Sequence, residues 1–142
     1  MIALDTNVVI DIGEGQQERV ETAMQAIERA GSRTGIVICG VVYAELHARQ
    51  NGSAANLADI LRESHIAIDF ALSQEIWQSA GLAFAAHANL RRSDGGKTPQ
   101  RIVADFIIGA HAQVMGSLVT RDAAFFRRAF PDLRVIAAGE SE

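Results

Sequence analysis

Five short apolar runs divide the chain: IAL at 2–4, GIVIC at 35–39, HIAID at 65–69, SLVT at 117–120 and LRVIAA at 133–138. Each is strand-sized, and the segments between them carry apolar residues at helical spacing. Residues 16–30 set Val20, Ala23, Met24 and Ile27 on one stripe that ends near Gly31. A helix is expected across 40–50, closed by a break at Asn51-Gly52, and another across 54–63 through Leu57, Ile60 and Leu61. Ser73 opens a long helix to about Leu90, with Ile76, Ala80, Ala83, Phe84 and His87 on one face. Thr98-Pro99 supplies an N-cap and a first-turn proline for a helix from 99 to about 115, and Asp122–Phe130 forms the last one. Asn7 is expected to cap the turn that carries Val8, Val9, Ile10 and Ile12. Short apolar strands alternating with amphipathic helices specify an α/β fold, with a mainly parallel sheet covered on both faces.

A chain of 142 residues fits one domain, expected to span 1–142. A domain of this size buries roughly 68–70% of the surface its unfolded chain exposes, so neither metal nor disulfide is needed as a staple. Cys39 is the single cysteine, which excludes an internal disulfide and a cysteine-cluster zinc site. No uncharged apolar run approaches membrane-spanning length, so a cytoplasmic protein without membrane association is expected.

The net charge of −4 disfavours a general nucleic-acid binder. The distribution of charge is more informative than its sum. RRSDGGKTPQR, residues 91–101, sets Arg91, Arg92, Lys97 and Arg101 against Asp94 alone. A mobile basic loop of this kind can hold a polyanion, although an ordinary solvated loop has the same composition.

Sites in open parallel sheets lie beyond the carboxyl ends of the strands. Asp5 follows strand one and Asp122 follows strand four, each at such an edge. Glu45 opens the helix after strand two, in GVVYAELHARQ, four residues after Val41 and next to Leu46. Asp105 interrupts RIVADFIIGAH early in a helix, three residues after Ile102 and four before Gly109. An ionised carboxylate near an apolar face is costly unless paired or bound to a cation. An arginine partner, or a tilt toward solvent, would account for any one of the four. Together they imply one acidic hollow, provided strands one and four are neighbours. Mg²⁺ or Mn²⁺, which favour oxygen ligands, would relieve its repulsion.

On these motifs the chain resembles the PIN-domain family, specifically VapC-type toxin ribonucleases of toxin–antitoxin pairs. The resemblance runs over nearly the whole length: IALDTNVVID with Asp5, VVYAEL with Glu45, ADFIIGAHA with Asp105, TRDAAFF with Asp122, and the closing FPDLRVI. Gly40, before Val41, departs from the pattern, because relatives often carry Ser or Thr there as a helix cap. The resemblance implies a PIN-like three-layer α/β/α fold around about five short strands. It also implies Mg²⁺- or Mn²⁺-dependent hydrolysis of RNA phosphodiesters, usually by a homodimer held in check by a small cognate antitoxin. Asp5, Asp105 and Asp122 then become metal ligands, directly or through water, and Glu45 either binds metal or orients the attacking water. Thr6, Asn7 and Thr120 match polar positions that support the acidic site. Arg91, Arg92, Lys97 and Arg101 are candidate substrate contacts.

Other features carry less. His47, His65, His87 and His111 form no HxH or HExxH pattern. Cys39 reads as a buried structural thiol. The Gly95-Gly96-Lys97-Thr98 stretch lacks the spacing and preceding strand of a phosphate loop. Two other function classes compete with a nuclease. A metal-dependent phosphatase would place a DxD pair near the first strand, where this chain has DTN. A non-catalytic RNA- or protein-interaction module would use the acidic group without turnover.

Overall fold

The computed structural model describes residues 1–49 and 54–139, and the expected break at Asn51-Gly52 lies outside them. β1 (Ile2–Leu4), β2 (Ile36–Cys39), β3 (Ile66–Asp69), β4 (Ser117–Thr120) and β5 (Arg134–Ala137) form one sheet in the order β3-β2-β1-β4-β5. Every pairing is parallel, with Ala3 opposite both Val37 and Leu118. β1 and β4 are therefore neighbours, as the acidic hollow requires. Their residues are buried throughout, whereas the edge strands β3 and β5 are partly exposed.

The helices are α1 (Thr6–Glu14), α2 (Gln17–Ala30), α3 (Gly40–Leu46), α4 (Ala54–Glu63), α5 (Gln74–Ser93), α6 (Val103–Met115) and α7 (Ala123–Ala129). They complete a PIN-like three-layer α/β/α fold. α2 lies on β4 and β5, α6 lies on β1 and β4, and α5 packs outside α6. Phe106 and Phe126 are the largest fully buried side chains. Among the described residues no helix is long and apolar enough to cross a membrane.

Several element boundaries correct the expectations. Asp5, not Asn7, caps α1, and its side chain accepts from the Thr6 backbone N–H. Thr98-Pro99 does not start α6, which begins at Val103 with Ile102 as its extended N-cap residue. Thr98 instead closes a turn, with its N–H and hydroxyl both donating to the Asp94 carboxylate, which also takes the N–H groups of Gly96 and Lys97. The basic stretch is thus largely a structured turn, and Arg91, Arg92 and Ser93 still belong to α5. Helix α3 ends at Leu46 and tightens into a 3-10 turn over His47–Arg49. On α2 the core stripe is Ala23, Ala26, Ile27 and Ala30, while Met24 is half exposed.

Candidate active site

The crossing from β1 into α1 is built around one buried carboxylate. Asp5 is 7% exposed, and a set of donors offsets part of the cost of burying its charge. Oδ1 accepts from Thr6 N–H at 2.7 Å; Oδ2 accepts from the Thr120 hydroxyl at 2.7 Å and from the Asn7 amide at 3.2 Å. The Thr120 hydroxyl oxygen in turn accepts from Asp122 N–H at 2.9 Å, and Asn7 Oδ1 accepts from Arg121 N–H at 3.2 Å. The ends of β1 and β4 are therefore stitched together by side chains as well as by strand pairing. Asn7, Thr120 and the Thr6 N–H thus all donate to the Asp5 carboxylate.

Glu45 lies in the last turn of α3, not at its opening as expected. Its Oε1 accepts from the Thr6 hydroxyl at 2.8 Å, which ties α3 to the start of α1. Asp105 sits in the first turn of α6, where the positive end of the helix dipole favours a carboxylate. Asp122 is the residue before α7, and its Oδ2 accepts from the Arg101 guanidinium. That guanidinium is also 4.0 Å from Asp105 and lies over the Phe125 ring, 4.1 Å from its centroid. Arg101 is thus lodged among the carboxylates, apart from the other three basic residues of its stretch.

Electrostatics record the convergence of the quartet. Burial, reinforced by the nearby charges of Asp105 and Glu45, pushes the Asp5 carboxyl up to about 6 against the lowering effect of two hydrogen bonds, from the Thr120 hydroxyl and the Thr6 backbone N–H. Burial also raises Asp105; Arg101 counteracts this, while Glu45 and Asp122 add to it. Like charges are therefore close enough to oppose one another's ionisation. Among the described residues no three His, Cys, Asp or Glu side chains form a ready-made metal cage. The donor chemistry still fits a hard divalent cation: four carboxylates at partly desolvated positions, with hydroxyl oxygens beside them and neither thiolate nor imidazole.

The remaining basic residues stand elsewhere. Arg91 Nε donates to the Thr98 carbonyl at 3.0 Å and braces the turn, Arg92 bonds to Asn89 on its own helix, and Lys97 is exposed. Sequence reasoning passed over Asp11, which is 3% exposed. Its Oδ2 lies 2.9 Å from Arg121 Nε, an ion pair without aligned hydrogen-bond geometry, and Arg19 stands 3.7 Å away. The missed signal was helical register: Asp11 falls three residues after the fully buried Val8. His111, also buried, meets Asp69 through Nε2 at 3.0 Å and ties α6 to the end of β3. Cys39 is a buried thiol whose ionisation burial disfavours, in keeping with a structural role.

Comparison with known proteins bears on this geometry. Several solved structures resemble the chain over nearly its whole length. VapBC2 from Rickettsia felis, bound to a DNA fragment from its promoter, is 22% identical with a TM-score of 0.60, covering 96% of this chain and 98% of that one. VapBC-1 from nontypeable Haemophilus influenzae is 20% identical with a TM-score of 0.63, covering 97% and 98%. A toxin–antitoxin complex from Klebsiella pneumoniae is 22% identical with a TM-score of 0.61, covering 99% and 100%. At such identities the likeness speaks for the fold alone. No match arises among curated protein sequences. The PIN domain model matches residues 2–131, a span that holds all four carboxylates, and the chain accordingly belongs to the PIN domain family.

Proposed function

We propose that this protein is a divalent-metal-dependent endoribonuclease and the toxin of a toxin–antitoxin pair, silenced by a small cognate antitoxin and active as a homodimer. The observation that carries the nuclease reading is the gathering of Asp5, Glu45, Asp105 and Asp122 at the carboxyl end of the sheet, with Asp5 and Asp105 pushed toward protonation. The antitoxin half is favoured by the like-folded structures, which are themselves VapBC or toxin–antitoxin complexes.

Asp5, Asp105 and Asp122 would hold Mg²⁺ or Mn²⁺, with Glu45 as a fourth ligand or as the residue that orients water. When bound, the cation eases deprotonation of the attacking water and offsets negative charge growing on the phosphoryl group. The protein's own contribution is to hold its carboxylates still. Thr120, Asn7 and the Thr6 N–H fix both oxygens of Asp5. The Thr6 hydroxyl occupies Glu45 Oε1 and leaves Oε2 to accept a proton from water. Arg101 orients Asp122 and brings a positive charge to the place where the phosphate would lie. Arg92 and Lys97 are the more available outer phosphate contacts, because Arg91 is engaged in bracing the turn.

The test uses chelator-stripped protein with a mixed RNA pool and a small phosphomonoester. RNA should be cut only after Mg²⁺ or Mn²⁺ is restored, and Asp122→Asn should lower turnover roughly a hundredfold or more while the fold persists. Full RNA cleavage in exhaustive chelator would overturn the metal assignment. Phosphomonoester turnover without RNA cleavage would make the protein a phosphatase, and inactivity on both would leave an interaction module. Co-expression with the neighbouring open reading frame should suppress growth arrest and RNA cleavage together. A neighbour that neither binds nor suppresses would remove the local antitoxin and leave the nuclease standing.

A further inference from the structure

A cavity of about 200 Å³ opens between α5, α6 and α7, beside the carboxylates yet separate from them. Its inner wall is Phe106 and Phe125, both buried, and its outer wall includes Leu90 and Arg128, both exposed. Phe125 is shared with the acidic site, because Arg101, the partner of Asp122, lies on the same ring. One side chain therefore separates this apolar cavity from the carboxylates.

Two further observations indicate what would fill it. His87 lines the cavity, with its ring against Phe106 at 5.5 Å and Phe125 at 6.4 Å, and its buried Nε2 has no hydrogen-bond partner. A buried polar atom left unpaired is uncommon and calls for an explanation, a ligand contact being one. The rim is cationic: Arg128 lines the cavity and has no ion-pair partner among the described residues. An apolar cavity with one orphaned imidazole nitrogen and an unpaired guanidinium at its rim suits a planar, hydrogen-bonding ring attached to a phosphate chain. An aliphatic side chain would leave the Arg128 guanidinium and Nε2 unused.

We infer that this cavity receives one unpaired nucleobase next to the scissile phosphate, with His87 and Arg128 as the residues that contact it. The inference rests on the nuclease reading above and adds a place where base identity is sensed. Single-stranded RNA is recognised in this manner, by bases splayed out onto aromatic or guanidinium surfaces and hydrogen-bonded at their edges. Placing a base here would hold the next phosphate in register with Asp122 and would make cleavage depend on which nucleotide flanks the cut.

Ala86 lines the cavity from the exposed side of α5, so Ala86→Trp fills it without replacing a core residue; Ala85→Trp adds the same ring at an exposed position that does not line it. The substrates are a short RNA whose cut site has been mapped and the same RNA with the flanking base removed. Ala86→Trp should lower kcat/KM on the intact RNA by about tenfold or more. Ala85→Trp should leave it unchanged. Removing the base should cost the wild type a similar factor and cost Ala86→Trp little further. Equal cleavage by wild type and Ala86→Trp, or an abasic penalty of the same size in both, would overturn the inference.

Binding of a nucleoside monophosphate, followed through the His87 imidazole resonances in wild type and Ala86→Trp, gives a readout independent of turnover. Perturbation only in the wild type supports the pocket even if no RNA is cut, in which case the nuclease reading fails by itself. No perturbation in either protein counts against the pocket. Loss of antitoxin binding in Ala86→Trp, with RNA cleavage intact, would assign the cavity to the protein partner and overturn the inference.

Discussion

Asp5 carries an electrostatic cost that can be read directly as stability. Its carboxyl titrates near 6 in the folded protein against 3.8 in an ordinary setting. Between those values the folded chain retains a proton that the unfolded chain has released, so stability falls as pH rises through this window and stays lower above it. A raise of this size corresponds to about 3 kcal/mol, reduced by whatever metal or relaxation relieves it. Asp5→Asn removes the charge and keeps the shape, at the cost of one acceptor oxygen facing the surrounding donors. In chelator, the variant should be more stable than the wild type at pH 8, by about 1–3 kcal/mol, and the difference should close toward pH 4. Denaturant melts of both proteins across that range test this, and parallel stability curves would show that Asp5 is not desolvated as described. Asp69 has the opposite sign. The Ala71 backbone N–H and then His111 hold it below the usual carboxylate range, so its contribution is present near neutrality and fades in acid.

At the scale of elements, packing decides details that pattern leaves open. A Cβ on Gly109 of α6 would come within 2.2 Å of the Phe130 ring, at a point where the helix meets the end of α7. Gly109→Ala should therefore destabilise the protein despite the better helix propensity of alanine. Overpacking costs about 1–3 kcal/mol, against about 1 kcal/mol gained from propensity. Urea melts should show a net loss, and pairing the change with Phe130→Leu should cost less than the two substitutions added separately. A stabilised Gly109→Ala would mean that Phe130 moves aside freely. The strands and most helices were legible in the sequence because buried strands are short apolar runs and α2 and α4 repeat at helical period. The start of α6 was not legible. It depends on Asp94 drawing Thr98 into a turn, and on Arg101 reaching an aspartate 21 residues away, a contact that no local pattern encodes. Asp5 and Asp122 were legible because they directly follow apolar strands, and Glu45 and Asp105 because they interrupt apolar helical stretches. Asp11 has the same character, but its neighbours Ile10 and Ile12 were read as a turn, so its helical register went unused.

Across the whole molecule, the all-parallel sheet sends every strand's carboxyl end the same way and so concentrates charge at one end. Asp5 and Asp122 follow the adjacent strands β1 and β4, and the helices bring Glu45 and Asp105 to them. The chain as a whole is acidic, at −4, and Arg101 supplies positive charge inside the cluster. A divalent cation that binds only the folded arrangement must stabilise the entire fold through mass action. At a hundred times its Kd the gain is about 2.7 kcal/mol, which for a domain of this length raises Tm by several degrees. Mg²⁺ or Mn²⁺ added to stripped protein should give this rise at pH 8, and a smaller one at pH 5, where Asp5 retains its proton. Sodium chloride at matched ionic strength should not reproduce the effect, because screening acts weakly on partly buried charges. Asp5→Asn should reduce the rise and remove most of its pH dependence. A Tm indifferent to either ion at pH 8, in protein shown to be free of bound metal, would mean that the carboxylates are balanced by Arg101 and their hydrogen bonds alone.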